Sequence, residues 1–249
     1  MQSLYSNGFE EIYDKMYQTF INYNEEYYFY NTLLKKYKKN SVLEIGSGTG
    51  NLAKFFIENQ FDYIGLDYSQ DMINLASSKN PNGLFKQGDM KDFHIKKPTE
   101  SIIITGRTSS YMLSNKDVYD TLNTIYNNLD TDGILCFDFI DANRFFKQIK
   151  DGQMITHKAL CNDKKYQRDS YIKTNTSNNL MFDWDSKYYE IIGSDKILIA
   201  EDESEVRAFT KNEWEILLHL NNFKLLEFID RRSYAFDTYV VVAQKIINK

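Results

Sequence analysis

A glycine-rich loop that follows a short apolar strand and leads into an amphipathic helix is the feature that most constrains this chain. The stretch SVLEIGSGTGNLAKFF spans residues 41–56 and places glycines at 46, 48 and 50. Glycine allows tight turns and a close approach between the backbone and a ligand. A loop of this kind at the start of a βα unit is typical of sites that hold phosphates or nucleosides. The stretch therefore predicts a nucleotide-like ligand at the end of the strand.

Strand and helix patterns alternate on both sides of the loop. Strands are predicted at SVLEIG, YIGLD, GLFKQGD, SIIITG and ILCFDFI, and KLLEFIDRR and TYVVVAQKI predict two last strands. Helices are predicted between several of them, including NKDVYDTLNTIYNNL, which we expect to end in a DTDG turn. A further helix begins after Thr210, with Glu213 completing a capping box. This order favours an α/β fold with a mostly parallel sheet and helices on both faces.

Two other segments flank this pattern. The N-terminal stretch FEEIYDKMYQTFINYNEEYYFYNTLLKKYKK predicts one or two helices. Between about residues 153 and 208, β-rich segments alternate with turn signals at SNN and GSD. We therefore expect three parts: an N-terminal helical lid in residues 1–40, a core in residues 41–141 and 209–249, and an antiparallel β insertion in residues 142–208.

Composition narrows the classes of function. The 249 residues carry a net charge of −5, which disfavours a nucleic-acid partner. The two cysteines and three scattered histidines show no metal-ligand spacing. Neither an N-terminal signal segment nor an apolar run of about 18 residues occurs. We expect a cytoplasmic protein that binds no metal, no membrane and no nucleic acid, as a monomer or homodimer.

Three ligand classes compete for the glycine loop. A triphosphate-binding loop is excluded because no lysine follows the last glycine. Residues 48–53 satisfy the dinucleotide pattern G-x-G-x-x-A, and Asp67 ends the second strand where a ribose hydroxyl would lie. Glu44, however, would repel a pyrophosphate and suits a ligand with an ammonium group, directly or through water. Asp89, after the third strand, suits the exocyclic amine of adenine, and the last two strands form a hairpin instead of a second βαβαβ half.

Four segments around the glycine loop and the strand ends resemble a known family. The segments VLEIGSGTG, YIGLDYSQDMINLA, FKQGDMKDF and LDTDGILCFDF closely resemble class I S-adenosylmethionine-dependent methyltransferases, over roughly residues 40–140 and again at RAFTKNEWEILLHLNNFKLLE. Small-molecule members, including amino-sugar N-methyltransferases, share the YD..Y helix, a Ser-Ser-Tyr-like stretch after strand four and a β insertion after strand five. The resemblance implies a Rossmann-like seven-stranded mixed sheet whose last strand is antiparallel. It also implies S-adenosylmethionine as cofactor and S-adenosylhomocysteine as product.

The resemblance assigns a cofactor-binding set around the loop and the strand ends. Asp67 is expected to accept the ribose hydroxyls, and Tyr68 and Met72 either flank the adenine or pack the helix. Asp89, with the Met90 backbone, addresses the adenine edge, unless Asp89 is a helix N-cap. The full expected set is Tyr23, Glu44, Gly46, Ser47, Gly48, Gly50, Asp67, Tyr68, Met72, Asp89, Met90, Thr105 and Arg107.

A second set is expected to bind the substrate. The segment TGRTSSYML follows strand four, and ligands of parallel sheets lie at the carboxyl ends of strands. Arg107 either holds an anionic group of the substrate or pairs with an acid at the rim. The expected residues are Tyr13, Tyr17, Arg107, Ser110, Tyr111, Arg144 and Arg207. His157 and His219 are expected to be structural or surface residues, Trp184 and Trp214 to pack, and no catalytic residue is assigned.

The predicted activity is methyl transfer from S-adenosylmethionine to a nitrogen or oxygen atom of a small polar metabolite. No [DN]PPY motif follows strand four, which together with the acidic charge argues against a nucleic-acid substrate. Two alternatives stay open. One is an NAD(P)-dependent oxidoreductase that uses the GxGxxA loop, and the other is a catalytically idle module that binds S-adenosylmethionine.

Overall fold

Two β-sheets organise the residues that the computed structural model describes, which are 8–150, 152–175, 181–232 and 238–247. The SNN turn signal expected in the insertion, at 177–179, lies outside these ranges. The helices are α1 Phe9–Tyr17, α2 Tyr23–Lys36, α3 Asn51–Glu58, α4 Gln70–Lys79, α5 Asn115–Asn128, α6 Ala142–Gln148 and α7 Lys211–Leu220. The strands are β1 Ser41–Ile45, β2 Asp62–Asp67, β3 Leu84–Gln87, β4 Thr99–Ile104, β5 Leu129–Ile140, β6 Gln153–Cys161, β7 Lys164–Thr174, β8 Met181–Ile192, β9 Asp195–Arg207, β10 Phe223–Arg231 and β11 Thr238–Lys245.

The larger sheet has seven strands in the order β10-β11-β5-β4-β1-β2-β3. Strand β11 pairs antiparallel with both β10 and β5, while the pairs among β1 to β5 are parallel. The chain order reverses direction between β1 and β4, and that is where a crevice opens at the carboxyl ends of the strands. The expected seven-stranded mixed sheet with an antiparallel last strand is confirmed.

Helices cover both faces of this sheet because successive residues of each buried strand point to opposite sides. On one face Leu43 belongs to an apolar cluster with Trp214 of α7 and residues of α5. On the other face Val42 belongs to a cluster with Leu34 of α2 and Phe56 of α3. The capping box expected at Thr210 is present at the start of α7. Packing on both faces fixes the strand ends, and with them the crevice.

One local prediction is wrong. Helix α5 ends at Asn128, one residue before the expected end, and the DTDG sequence at 130–133 lies inside β5 and not in a separate turn. The register between β4 and β5 shifts there, from Thr99 opposite Leu129 to Ser101 opposite Ile134. Asp132 takes a left-handed φ of 58° in this irregular stretch. Turn-forming residues are accommodated because extra residues in one strand need no partner in the next.

The smaller sheet is an antiparallel meander in the order β6-β7-β8-β9. At one end its inner face packs on α1, where Met16 contacts a cluster that contains Cys161 and Tyr188. At the other end it packs on α6, where Phe145 and Phe182 belong to a separate cluster. Between these apolar ends the sheet lies over the crevice of the larger sheet. The division of the chain into lid, core and insertion stays a prediction.

Candidate active site

A cavity of about 470 Å³ lies between the carboxyl ends of the core strands and the inner face of the smaller sheet. This volume falls in the range of sites that hold small molecules. Of the expected site residues, the cavity lining includes Gly46, Gly48, Asp67, Tyr68, Met72, Asp89, Met90, Tyr13, Tyr17, Arg107, Ser110 and Tyr111. The structure therefore brings together most of the two expected sets.

The three glycines of the loop all have left-handed φ angles but face different surroundings. A Cβ atom on Gly48 would meet no atom within 4 Å, so this residue borders open space at the cavity. A Cβ on Gly50 would lie 3.1 Å from the Cβ of Ala76 in α4. A Cβ on Gly46 would lie 2.4 Å from the side-chain oxygen of Thr108. Gly48 thus gives a ligand access to the backbone, whereas Gly50 allows α3 and α4 to pack.

Asp67 ties the end of β2 to the glycine loop. Its Oδ2 accepts the N–H of Gly48 at 2.8 Å, and its Oδ1 accepts the N–H of Ser69 at 2.9 Å. Burial raises the pKa of Asp67, and the backbone N–H groups oppose that rise. A carboxylate has about four acceptor positions, so the backbone N–H groups do not use its full capacity, and a hydroxyl group of a ligand can still be accepted. Asp89 is not a helix N-cap, because a turn closed by the Lys91 N–H follows it.

Glu44 lies beneath the loop and not on the cavity surface. The residue is buried, and its carboxylate accepts hydrogen bonds from Tyr63 Oη at 2.6 Å and Thr105 Oγ1 at 2.8 Å. Burial raises the pKa of Glu44 to about 7, although the two hydrogen bonds oppose the rise. Ser47, Gly50 and Thr105 also lie outside the cavity lining. Glu44 and Thr105 therefore support the loop from behind, whereas Ser47 and Gly50 are loop residues that face away from the cavity.

Helix α1 is fastened to the glycine loop through one buried carboxylate. Asp14 Oδ1 accepts hydrogen bonds from Thr49 Oγ1, from Asn51 Nδ2 at 2.7 Å and from Lys79 Nζ at 2.7 Å. Its Oδ2 accepts one from Gln18 at 2.7 Å. The neighbours of Asp14 on the cavity side are Tyr13 and Tyr17, whose rings stack at 3.8 Å between centroids. Tyr23, in contrast, lines a separate and more open groove at the start of α2.

Arg107 enters the cavity from a left-handed backbone. Its φ is 64°, and its N–H donates to Asp138 Oδ1 at 2.9 Å. Burial raises the pKa of Asp138 to about 6. A left-handed backbone is uncommon for a residue other than glycine and marks a position that its surroundings enforce. The turn continues into a short 3-10 helix, Thr108–Tyr111, from which Ser110 and Tyr111 reach the cavity.

Arg144 and Arg207 lie outside the cavity. Arg144 donates two hydrogen bonds to Asp230, at 2.8 and 2.6 Å, and its guanidinium stacks over the Tyr239 ring. Arg207 donates to Asn115 Oδ1 at 2.8 Å and to Glu213 at 3.3 Å. Because acidic and amide partners hold both side chains against the core, the geometry gives no support to the substrate role expected for them.

The inner face of the smaller sheet supplies cavity residues that the sequence interpretation missed. His157 and Trp184, expected to be structural, line the cavity together with Arg168, Asp202 and Ser204. His157 and Arg168 are direct cross-strand partners. A signal was present in the sequence, since polar residues recur at alternate positions of β7 and β9, where a sheet with a purely structural inner face would carry apolar ones.

Two guanidinium groups dominate the electrostatics of this end of the cavity. Arg168 is only 7% exposed and donates to Ser186 Oγ at 3.1 and 3.2 Å and to Tyr17 Oη at 3.0 Å. Burial favours a higher pKa for Tyr17, but Arg168, Tyr13 and Arg107 lower it on balance. Burial lowers the pKa of His157, and Arg168 and Arg107 add to that effect. Both arginines therefore act on the same two side chains.

The fold and part of the sequence are similar to those of known proteins. A mixed seven-stranded sheet with a reversed last strand, a glycine loop that opens onto a cavity and an acid at the tip of β2 are the features that the resemblance to class I S-adenosylmethionine-dependent methyltransferases implies. Residues 42–133 match the family described as "Methyltransferase domain". The match covers 92 of the 249 residues and marks this part of the chain as a methyltransferase domain. This match favours a methyl donor over the nicotinamide cofactor that the loop had left open.

The chain is similar in sequence to two curated N-methyltransferases and in structure to a third. The chain is 24% identical over 95 residues to the dTDP-3-amino-3,4,6-trideoxy-alpha-D-glucopyranose N,N-dimethyltransferase of Streptomyces venezuelae, covering 38% of this chain and 40% of that protein. It is 28% identical over 143 residues to the glycine/sarcosine N-methyltransferase of Aphanothece halophytica, covering 55% and 54%. The chain thus spans about half the length of these relatives, or less. The sugar N-methyltransferase KedS8 from Streptoalloteichus has the same fold, with a TM-score of 0.81, 15% identity and coverage of 99% and 98%.

The described ranges contain neither a membrane-spanning helix nor a metal-binding cluster. No helix there combines the length and apolar character needed to cross a membrane. No group of three or more His, Cys, Asp or Glu side chains in the same ranges is arranged to hold a metal ion.

Proposed function

We propose that the chain transfers a methyl group from S-adenosylmethionine to an amine nitrogen of a small polar metabolite. The observation that carries this proposal is a single cavity with two dissimilar walls. One wall is the glycine loop with Asp67, and the other is the polar inner face of the smaller sheet. The similarity to N-methyltransferases that act on amino sugars and on glycine supports nitrogen as the acceptor atom.

The core wall has the chemistry that the cofactor requires. The open space at Gly48 lets a ligand approach the loop backbone, and the remaining acceptor capacity of Asp67 suits a ribose hydroxyl. Asp89 and the Met90 backbone would address the adenine edge, with Tyr68 and Met72 beside it. When bound, the sulfonium supplies an activated methyl group together with its own leaving group.

Besides binding the cofactor, the chain has to position the amine that accepts the methyl group and to exclude water. Tyr13 and Tyr17 of α1 and Tyr111 of the 3-10 helix bring aromatic side chains to the cavity, while the smaller sheet covers it. Holding two reactants in line supplies much of the rate enhancement in reactions of this kind. An amine that arrives neutral needs no strong base, which agrees with a cavity that is built mainly for orientation.

The experiment measures binding and turnover with the same proteins. Calorimetry should show S-adenosylhomocysteine binding and no NAD binding. Asp67→Asn should weaken S-adenosylhomocysteine binding roughly 10- to 100-fold, because hydrogen bonds to a charged group contribute about 1.5–3 kcal/mol. Asp62→Asn, at the exposed opposite end of β2, is the matched control and should bind like the wild type.

Turnover is followed as S-adenosylhomocysteine released in the presence of a panel of small amines and matched alcohols. Release with amines and not with alcohols supports the proposal. Tight NAD binding without any response to S-adenosylhomocysteine would overturn it. Binding of the product cofactor with no turnover on any amine would favour an idle binding module instead.

A further inference from the structure

The cavity end formed by the smaller sheet carries a positive charge on each of two facing walls. Arg168 projects from β7, and hydrogen bonds to Ser186 and Tyr17 fix the direction of its guanidinium. Arg107 reaches the cavity from the core sheet, on a backbone that Asp138 holds in the left-handed region. Both side chains line the same cavity, so their fields add in the space between the walls.

Two neutral polar atoms at this end have no hydrogen-bond partner among the described residues. Ser110 is only 1% exposed, and its Oγ is buried and unpartnered although the residue lines the cavity. His157 lies on the wall opposite Ser110, where it is the cross-strand neighbour of Arg168 in the smaller sheet. Its Nδ1 is buried and unpartnered as well. Native proteins rarely leave such atoms unsatisfied unless a ligand or ion completes them. Ser110 and Arg107 are joined by a turn in which the Ser110 N–H donates to the Arg107 carbonyl at 2.9 Å.

The charges and the unpartnered atoms together describe a subsite for an anion. A hydroxyl can donate to an anion, and a neutral imidazole can donate from one of its nitrogens. Burial lowers the pKa of His157, and Arg168 and Arg107 lower it further, which favours the neutral ring. Asp202 of β9 also lines the cavity on this inner face. Its carboxylate is suited to accept a hydrogen bond from the amine group of the same ligand.

We propose that the methyl acceptor carries an anionic group, a carboxylate or a phosphate ester, which binds between Arg168 and Arg107 with Ser110 and His157 as further contacts. This inference rests on the proposed function of the cavity and narrows its substrate to small anionic amines. An amine without an anionic group would offer no acceptor oxygen to either guanidinium group, so the subsite discriminates against it.

The first experiment needs no substitution. The full chain, saturated with S-adenosylhomocysteine, is titrated by calorimetry with glycine, with 2-aminoethyl phosphate and with ethanolamine as the uncharged-tail control. At least one of the two anionic amines should bind 10-fold or more tightly than ethanolamine, and the tighter of the two identifies carboxylate or phosphate as the preferred group. Equal binding of all three, or binding of ethanolamine alone, would overturn the inference.

The second experiment assigns the preference to the subsite. Arg168→Gln should reduce the affinity for the preferred anionic amine roughly 10- to 100-fold, as expected for the loss of a charge-assisted hydrogen bond. Arg168→Lys retains the charge and should recover part of that loss. Arg232→Gln, an exposed arginine after β10, is the matched control. The same samples are tested for S-adenosylhomocysteine binding, so that a misfolded variant is recognised.

The two proposals fail in different ways. If the wild-type chain methylates a neutral amine as well as its anionic analogue, the anion subsite is wrong while the methyltransferase proposal stands. If S-adenosylhomocysteine does not bind, the proposed function itself fails. Loss of anion preference in Arg168→Gln with retained cofactor binding supports the subsite, and an unchanged preference contradicts it.

Discussion

Replacing Asp14 with asparagine is expected to release α1 from the glycine loop and thereby open the cofactor side of the cavity. The carboxylate is 7% exposed and accepts from four side chains, of which Lys79 is a cation and 29% exposed. Asparagine keeps one acceptor oxygen but removes the charge. Hydrogen bonds to charged groups contribute roughly 1.5–3 kcal/mol and neutral ones about 1 kcal/mol, so α1 docking should lose about 2–4 kcal/mol.

The loss should be visible as weaker cofactor binding. Tyr13 and Tyr17 line the cavity only while α1 is docked, and the apparent Kd rises as the docked fraction falls. A loss of about 3 kcal/mol corresponds to a weakening of at most roughly 100-fold. Calorimetric titration with S-adenosylhomocysteine measures this effect, and urea unfolding measures the accompanying change in stability.

A matched control separates this effect from a general change in charge. Glu11→Gln makes the same acid-to-amide change at an exposed position of α1 and should leave both measurements close to wild type. Asp14→Ala, which removes all acceptor atoms, should weaken binding further than Asp14→Asn. If Asp14→Asn and Glu11→Gln give the same Kd and the same unfolding free energy, then Asp14 does not hold α1 in place.

Two further predictions concern the support of the loop. Burial keeps the pKa of Glu44 at about 7 in the folded chain, against 4.5 for an ordinary glutamate. Folding therefore becomes less favourable as pH rises from 4.5 to 7, by about 3 kcal/mol from this group. Urea unfolding should show Glu44→Gln gaining stability relative to wild type between pH 4 and pH 8 by that amount; a constant difference would contradict this. Gly50→Ala should lower stability more than Gly193→Ala, by about 2 kcal/mol. Both glycines have left-handed φ angles, but only at Gly50 would a Cβ approach Ala76. Equal melting temperatures would show that packing against α4 is unimportant.

The cofactor half of the site was predictable because local rules and sheet direction specify it. Parallel strands end at one edge of a sheet, so Asp67 after β2 and Asp89 after β3 had to lie near the glycine loop. The DTDG sequence shows where such reasoning fails. Its residues favour a turn locally. Because β4 pairs with β5 both before and after these residues, they form an irregular part of the strand instead.

The sequence by itself determined the alternating strands and helices, the glycine loop and the acids that follow the strands. These features depend on residue spacing within single βα units, which is why the sequence could be seen to resemble class I methyltransferases, and that resemblance implied the fold and the cofactor. Only the tertiary structure decided the other half of the cavity. Ser110 and Arg168 are far apart in the chain, and they line one cavity because the smaller sheet folds over the larger one. Arg144 was also expected to bind substrate from the sequence, but the fold placed it beside Asp230, outside the cavity.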